Sequence, residues 1–160
     1  VLASYARQLD MGMNPVNYEA DYILGELGLA AKGYTLTAGY EQLGADKAAG
    51  KAFQTPLATL HKFNGWADLF LTTPAAGLED YYVTLAKVFP KVKALPGLNA
   101  NVTYHRFRSD IGNTRYGTEW DASVGFKVSK VGFLVKYANY DAEKFGVDKE
   151  MLWLQAEVAF

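Results

Sequence analysis

"EWDASVGFKV", residues 119–128, alternates without a slip. Trp120, Ala122, Val124, Phe126 and Val128 fall on one phase, and Glu119, Asp121, Ser123, Gly125 and Lys127 on the other. A period of two held over ten residues is the mark of a strand with one apolar and one polar face. Working outward, the same alternation recurs in 1–10, 17–31, 34–41, 78–89, 98–105, 131–140 and 151–160, which makes eight strands. In 17–31 the phase slips: Tyr18, Ala20, Tyr22 and Leu24 oppose Glu19 and Asp21, but Glu26 then lands with the apolar set. A one-residue bulge near Gly25 would restore the alternation. Lys87 falls on an apolar phase near a strand end, where its stem can snorkel.

The connections alternate as well. Lys32-Gly33 and Ser129-Lys130 are tight hairpin turns, and 90–97 is a moderate one. Segments 11–16, 42–77, 107–117 and 141–149 are longer. An up-and-down meander with this rhythm places every long loop at one end of the sheet. Both termini then lie at the tight-turn end.

Composition limits the function classes. The chain has 160 residues and a formal net charge of -1, which gives no electrostatic footprint for nucleic acid. With no Cys, disulfides, thiolate metal sites and Cys nucleophiles are excluded. Eleven Tyr and 15 Gly against 5 Pro fit a chain of strands and turns. No segment has the length of uncharged apolar sequence that a membrane helix needs.

Period alone does not say which face looks at water. A soluble ligand-binding barrel hides its apolar face, and a membrane barrel displays it. Three features favour the membrane. Aromatics on the apolar phase sit toward the strand ends: Tyr18, Tyr40, Tyr81, Tyr104, Trp120 and Tyr137 toward the long loops, Tyr34, Phe89, Phe126, Phe133 and Phe160 toward the tight turns, with Ala, Val and Leu between. Most strands have the length that a tilted strand needs to cross hydrocarbon. The polar phase carries groups that a dry core would reject. The expected fold is therefore an all-β, antiparallel up-and-down transmembrane barrel, one domain over 1–160, in a bacterial outer membrane with periplasmic termini. Its lumen would be lined by Glu19, Asp21, Glu41, Asp80, Glu119, Asp121, Lys127, Lys136 and Glu157. A soluble barrel binding an apolar ligand, and a narrow closed eight-stranded membrane barrel with a structural or adhesive role, remain the alternatives.

Four stretches carry a more specific likeness: "FQTPLATLHKFNGWADLFLTTPAAGLEDYYV" (53–83), "YGTEWDASVGFKV" (116–128), "LVKYANYDAEKFGVDKEMLWLQ" (134–155) and the ending "MLWLQAEVAF" (151–160). Together they resemble the alginate-export family of outer-membrane porins. The resemblance implies a passive diffusive channel without a cofactor. It also implies about twice as many strands as this chain offers, so the chain reads as the C-terminal half of a larger barrel or a shortened relative. The aromatic ending with alternating apolar residues is similar to the signature by which the barrel-assembly machinery recognises its clients. Membrane lipid and lipopolysaccharide are the implied surroundings, and another copy or another barrel-forming chain the implied neighbour. The family's channel is rich in Arg, whereas the polar face here sets seven acids against Lys127 and Lys136. That departure argues against a polyuronate solute unless further strands supply cations. Seven acids in a closed eight-stranded interior could not all pair, so the excess also points to a wide, wet lumen.

The 42–77 loop is apolar for its length and is expected either to fold into the lumen as a constriction, or to cap the extracellular rim or pack against a neighbour. In the first case His61, Lys62, Trp66 and Asp68 would face the solute. His61 and His105 lack the spacing of a metal site, and 141–152 places Leu152 where a calcium loop needs a bidentate Glu. His105, Ser109 and Asp110 form the only grouping suggestive of hydrolysis. The expected activity is passive diffusion of small hydrophilic solutes, with no enzymatic step.

Overall fold

The structure, a computed structural model, describes residues 1–56, 61 and 63–158. Among these there is no α-helix. Eight strands form one antiparallel sheet in the order β1 (Leu2–Leu9), β2 (Glu19–Ala31), β3 (Tyr34–Leu43), β6 (Leu78–Val88), β7 (Asn99–Arg108), β8 (Arg115–Val128), β9 (Val131–Ala142) and β10 (Lys149–Val158). A two-stranded ribbon, β4 (Ala45–Asp46) with β5 (Lys51–Ala52), lies in the connection between β3 and β6. All eight expected strands are present as a meander, with the long connections at one end. The Lys32-Gly33 turn has φ of 51° and 79° at its two central residues, the left-handed pair a two-residue hairpin prefers.

Among the described residues the expected closure into a barrel is absent: β1 pairs only with β2 and β10 only with β9. The molecule is an open sheet. Its accessible surface is 10188 Å², against about 7,900 Å² for a compact water-soluble monomer of this mass.

The register assigns every side chain to a face, because directly opposed residues share one. From β3 onward the two sets match the alternation read from sequence. Tyr40 opposes Tyr81, Tyr104 opposes Trp120, Phe126 opposes Phe133, and Val124 opposes Val135 on the apolar face. This face is left uncovered: Leu29 and Leu154 are each 75% exposed and Trp120 50%. Lys87 reaches back at the tight-turn end, its ammonium 3.7 Å from the Tyr34 ring centroid. Phe160 lies outside the described residues.

β2 departs from expectation. Its pairing runs unbroken from Tyr22–Leu43 to Ala31–Tyr34, so there is no bulge at Gly25. Ile23, Leu27 and Leu29 share the apolar face, and Glu19 and Asp21 share it with them, so these two acids do not line the polar face as the sequence phase predicted. The physical reason lies on β1. Arg7 ion-pairs Glu19 and holds Asp21 through Nε at 2.8 Å, while the Tyr5 hydroxyl donates to Asp21 at 2.9 Å. Arg7 falls on the same phase as Ala3 and Tyr5, and that was the available signal. A register shift occurs instead on β7, between Phe107 and Arg108.

Candidate functional site

The connection between β3 and β6 folds across the polar face at the long-loop end. Its seat is aromatic: Phe70 packs against Phe107 (centroids 4.6 Å apart) and Phe145 (5.2 Å), over fully buried Leu78, Ala138 and Tyr140. Phe107 and Tyr140 lie on the polar phase of β7 and β9, so this apolar seat interrupts an otherwise polar face. At its base, Asp46 accepts the N–H groups of Ala49, Glu19 and Ala48, which holds its pKa below the usual carboxylate value. Asp110 accepts from Gln42 and from the Ala45 N–H, tying the β7–β8 turn to the start of the loop.

Beside that seat the loop meets the acids. Glu119 and Asp121, neighbours on the polar phase of β8, are 0% and 1% exposed. Glu119 Oε1 accepts the Ala67 N–H at 2.7 Å and Asp121 Oδ2 accepts the Trp66 N–H at 3.1 Å. Consecutive backbone donors thus land on carboxylates two residues apart along one strand. Asn64 donates to Glu41 Oε2 at 2.8 Å, and the Tyr22 hydroxyl to Oε1 at 2.7 Å. Gly65 allows the approach: a Cβ there would lie 2.4 Å from Glu119 Oε2, and its φ of +82° suits glycine. Both Asp80 oxygens lie within 3.0 Å of His105 Nδ1, and His105 Nε2 is 3.6 Å from Asp121. The acid excess noticed in the sequence is therefore met largely by donors from the loop and from Tyr22, which pattern reading missed. Glu26, which the sequence phase set with the apolar residues short of a bulge and which was not among the expected lining residues, accepts from the Tyr82 hydroxyl at 2.8 Å, across Gly39.

His61, Trp66 and Asp68 come together as expected of one loop, around a strand residue. Asp68 holds His61 Nδ1 at 2.9 Å, Lys136 Nζ lies 2.7 Å from His61 Nε2, and the same ammonium sits 4.0 Å from the Trp66 ring centroid. Lys62 lies outside the described residues. Lys127 and Glu157 share a shallow exposed cleft at the tight-turn end, away from the cluster. The grouping of His105, Ser109 and Asp110 is dispersed into other contacts. Ser109 closes its own turn by donating to the Ile111 carbonyl, Asp110 anchors the loop base, and His105 is bound to Asp80. Among the described residues no three His, Asp or Glu side chains are grouped to hold a metal ion.

Between the loop and the sheet remains a cleft of about 370 Å³, lined by Glu26, Glu41, Asp80 and Asp121 together with His105 and Trp66. No family model, no curated protein and no solved structure matches the chain.

Proposed function

We propose that this chain is a section of an outer-membrane β-barrel that passes small hydrophilic solutes by diffusion, akin to porins of the alginate-export family. One observation carries the reading: a charge-free band runs across the apolar face of all eight strands. Ala3 and Tyr5 of β1, Ile23 to Leu29 of β2, Leu36 and Ala38 of β3, Val83 and Leu85 of β6, Ala100 and Val102 of β7, and Leu152 to Ala156 of β10 belong to it, with Trp120 to Phe126 and Phe133 to Tyr137 between. Charged residues on that face stand only at its margins, as Glu79 and Lys87 do on β6. Those two are eight residues apart, about 27 Å of strand. At a 40° tilt this spans about 21 Å along a membrane normal, near the height of the outward apolar band of such barrels. Water would penalise an exposed band of this size, and lipid would not.

Two arguments favour a barrel wider than these eight strands. An eight-stranded interior is filled by its own side chains, leaving no room for the loop that covers the polar face here. In lipid the outer edges of β1 and β10 would leave backbone groups unpaired, so further strands of the same polypeptide or another copy must continue the sheet. The loop then narrows the lumen, and the retained acids, Glu41, Asp80, Glu119 and Asp121, would favour cations over anions.

The test is reconstitution of the full-length protein in planar bilayers under a KCl gradient. Stepwise conductance with a cation-selective reversal potential is the expected result. A protein that stays monomeric without detergent and never conducts would refute the proposal.

A further inference from the structure

We infer that Glu119 and Asp121 share one proton beneath the seated loop, so that seating is a proton-linked latch. The two side chains project side by side from the polar face of β8, within hydrogen-bonding reach of each other. Each has one oxygen accounted for: Ala67 N–H donates to Glu119 Oε1, and Trp66 N–H to Asp121 Oδ2. The other two, Glu119 Oε2 and Asp121 Oδ1, are closed to solvent and meet no donor from any described residue. Two ionised carboxylates packed together without water would repel each other and lose their hydration. A proton on one makes it a donor to the other and supplies what both orphan oxygens lack.

The groups facing the pair do not replace that proton. His105 of β7 keeps Nε2 3.6 Å from Asp121, and its Nδ1 is held by Asp80 of β6. Lys136 of β9 turns its ammonium to His61 Nε2 and the Trp66 ring, and Asp68 takes the other side of His61. Tyr140, opposite Glu119 on β9, gives its hydroxyl to the Tyr116 and Phe145 carbonyls. Glu41 of β3 is committed to Tyr22 and Asn64, and Lys149 of β10 to the Ala67 carbonyl. The two basic side chains, His105 and Lys136, lie toward Asp121, which therefore keeps the charge and leaves Glu119 as the acid. Gly65 closes the contact from above, since a Cβ there would lie 2.4 Å from Oε2. When the loop lifts, water reaches both carboxyls, and each ionises near the ordinary carboxylate value of about 4. The seated state thus binds one proton more than the detached one, and rising pH favours detachment. In the channel reading the lumen is narrowed in acid and widened in alkali, but the latch stands without that reading.

The experiment is infrared spectroscopy of the full-length protein at neutral pH in an ester-free detergent, in water and in heavy water, with exchange protection of peptides covering 64–68 followed against pH. An ordinary Glu is protonated to only about one part in 500 at neutral pH. A carboxylic-acid carbonyl band that shifts in heavy water and is missing from Glu119→Gln is therefore the expected result. That variant sets an amide donor where the shared proton was and keeps the acceptor for the Ala67 N–H, so its loop stays seated. Protection in the parent should fall about tenfold per pH unit from about pH 5 until the band disappears, and level off beyond. Glu119→Gln should remove one proton from that slope. A parent spectrum without the band, a band that survives in Glu119→Gln, or equal slopes in the two proteins would overturn the inference. A working latch in a protein that never conducts would fault the channel reading and leave the latch standing.

Discussion

Replacing Glu119 by Ala isolates the contact that seats the loop. Glu119 Oε1 is the acceptor for the Ala67 N–H, and Ala67 is fully buried. Deleting the carboxylate leaves that donor unpaired, at about 1–3 kcal/mol. Seating is not abolished, because Trp66 still donates to Asp121, Asn64 to Glu41, and the Lys149 ammonium to the Ala67 carbonyl. A central value of about 2 kcal/mol raises the detached-to-seated ratio about 30-fold. Hydrogen exchange read by mass spectrometry on peptides covering 64–68 should lose protection by that factor, while the β8–β9 ladder keeps its own. Glu119→Gln retains an Oε1 acceptor and should lose much less. Gly65→Ala should reproduce the loss from the other side, by driving a methyl into the same carboxylate. Unchanged exchange at 66–67 in Glu119→Ala would refute the reasoning, and so would an equal loss across the strands, which would make Glu119 a general stability residue and not a latch.

Two further outcomes follow from the faces. Val124→Arg, in the middle of the charge-free band, should destabilise the protein by about 2–4 kcal/mol in lipid vesicles by denaturant unfolding; a change within about 0.5 kcal/mol, the usual value for an exposed site in water, would count against burial in hydrocarbon. Gly39→Ala should cost about 1–3 kcal/mol in the same measurement, because a Cβ would lie 2.1 Å from the Tyr82 ring and push its hydroxyl off Glu26. A parent-like midpoint for Gly39→Ala would show that Tyr82 does not cross that glycine.

The chain's own order of residues determined the strands, their sequence and, from Tyr34 onward, their faces. Alternation is local: whether Val124 and Glu119 point apart depends only on the pleat between them. The same rule misled at β2, where Tyr18, Ala20 and Tyr22 mimic an outward set. There the partner strand decides, since Arg7 neutralises Glu19 and Asp21 on the apolar side while Glu41 and Tyr82 draw Tyr22 and Glu26 to the other.

The site was half legible. Glu41, Asp80, Glu119 and Asp121 stand out as acids on a polar phase, but their partners do not. Two are backbone N–H groups of Trp66 and Ala67, which every residue but proline possesses, so no side-chain pattern marks them. The others, Asn64 and Tyr22 at Glu41 and His105 at Asp80, are 23, 19 and 25 residues along the chain from the acids they bind. Periodicity reaches only as far as a neighbouring turn of chain, whereas the seating of a loop on a sheet depends on where distant segments come to rest. Strand pattern and, from Tyr34 onward, face were therefore written in the sequence; the open edges, the seated loop and the acid-lined cleft beneath it were decided by the tertiary structure.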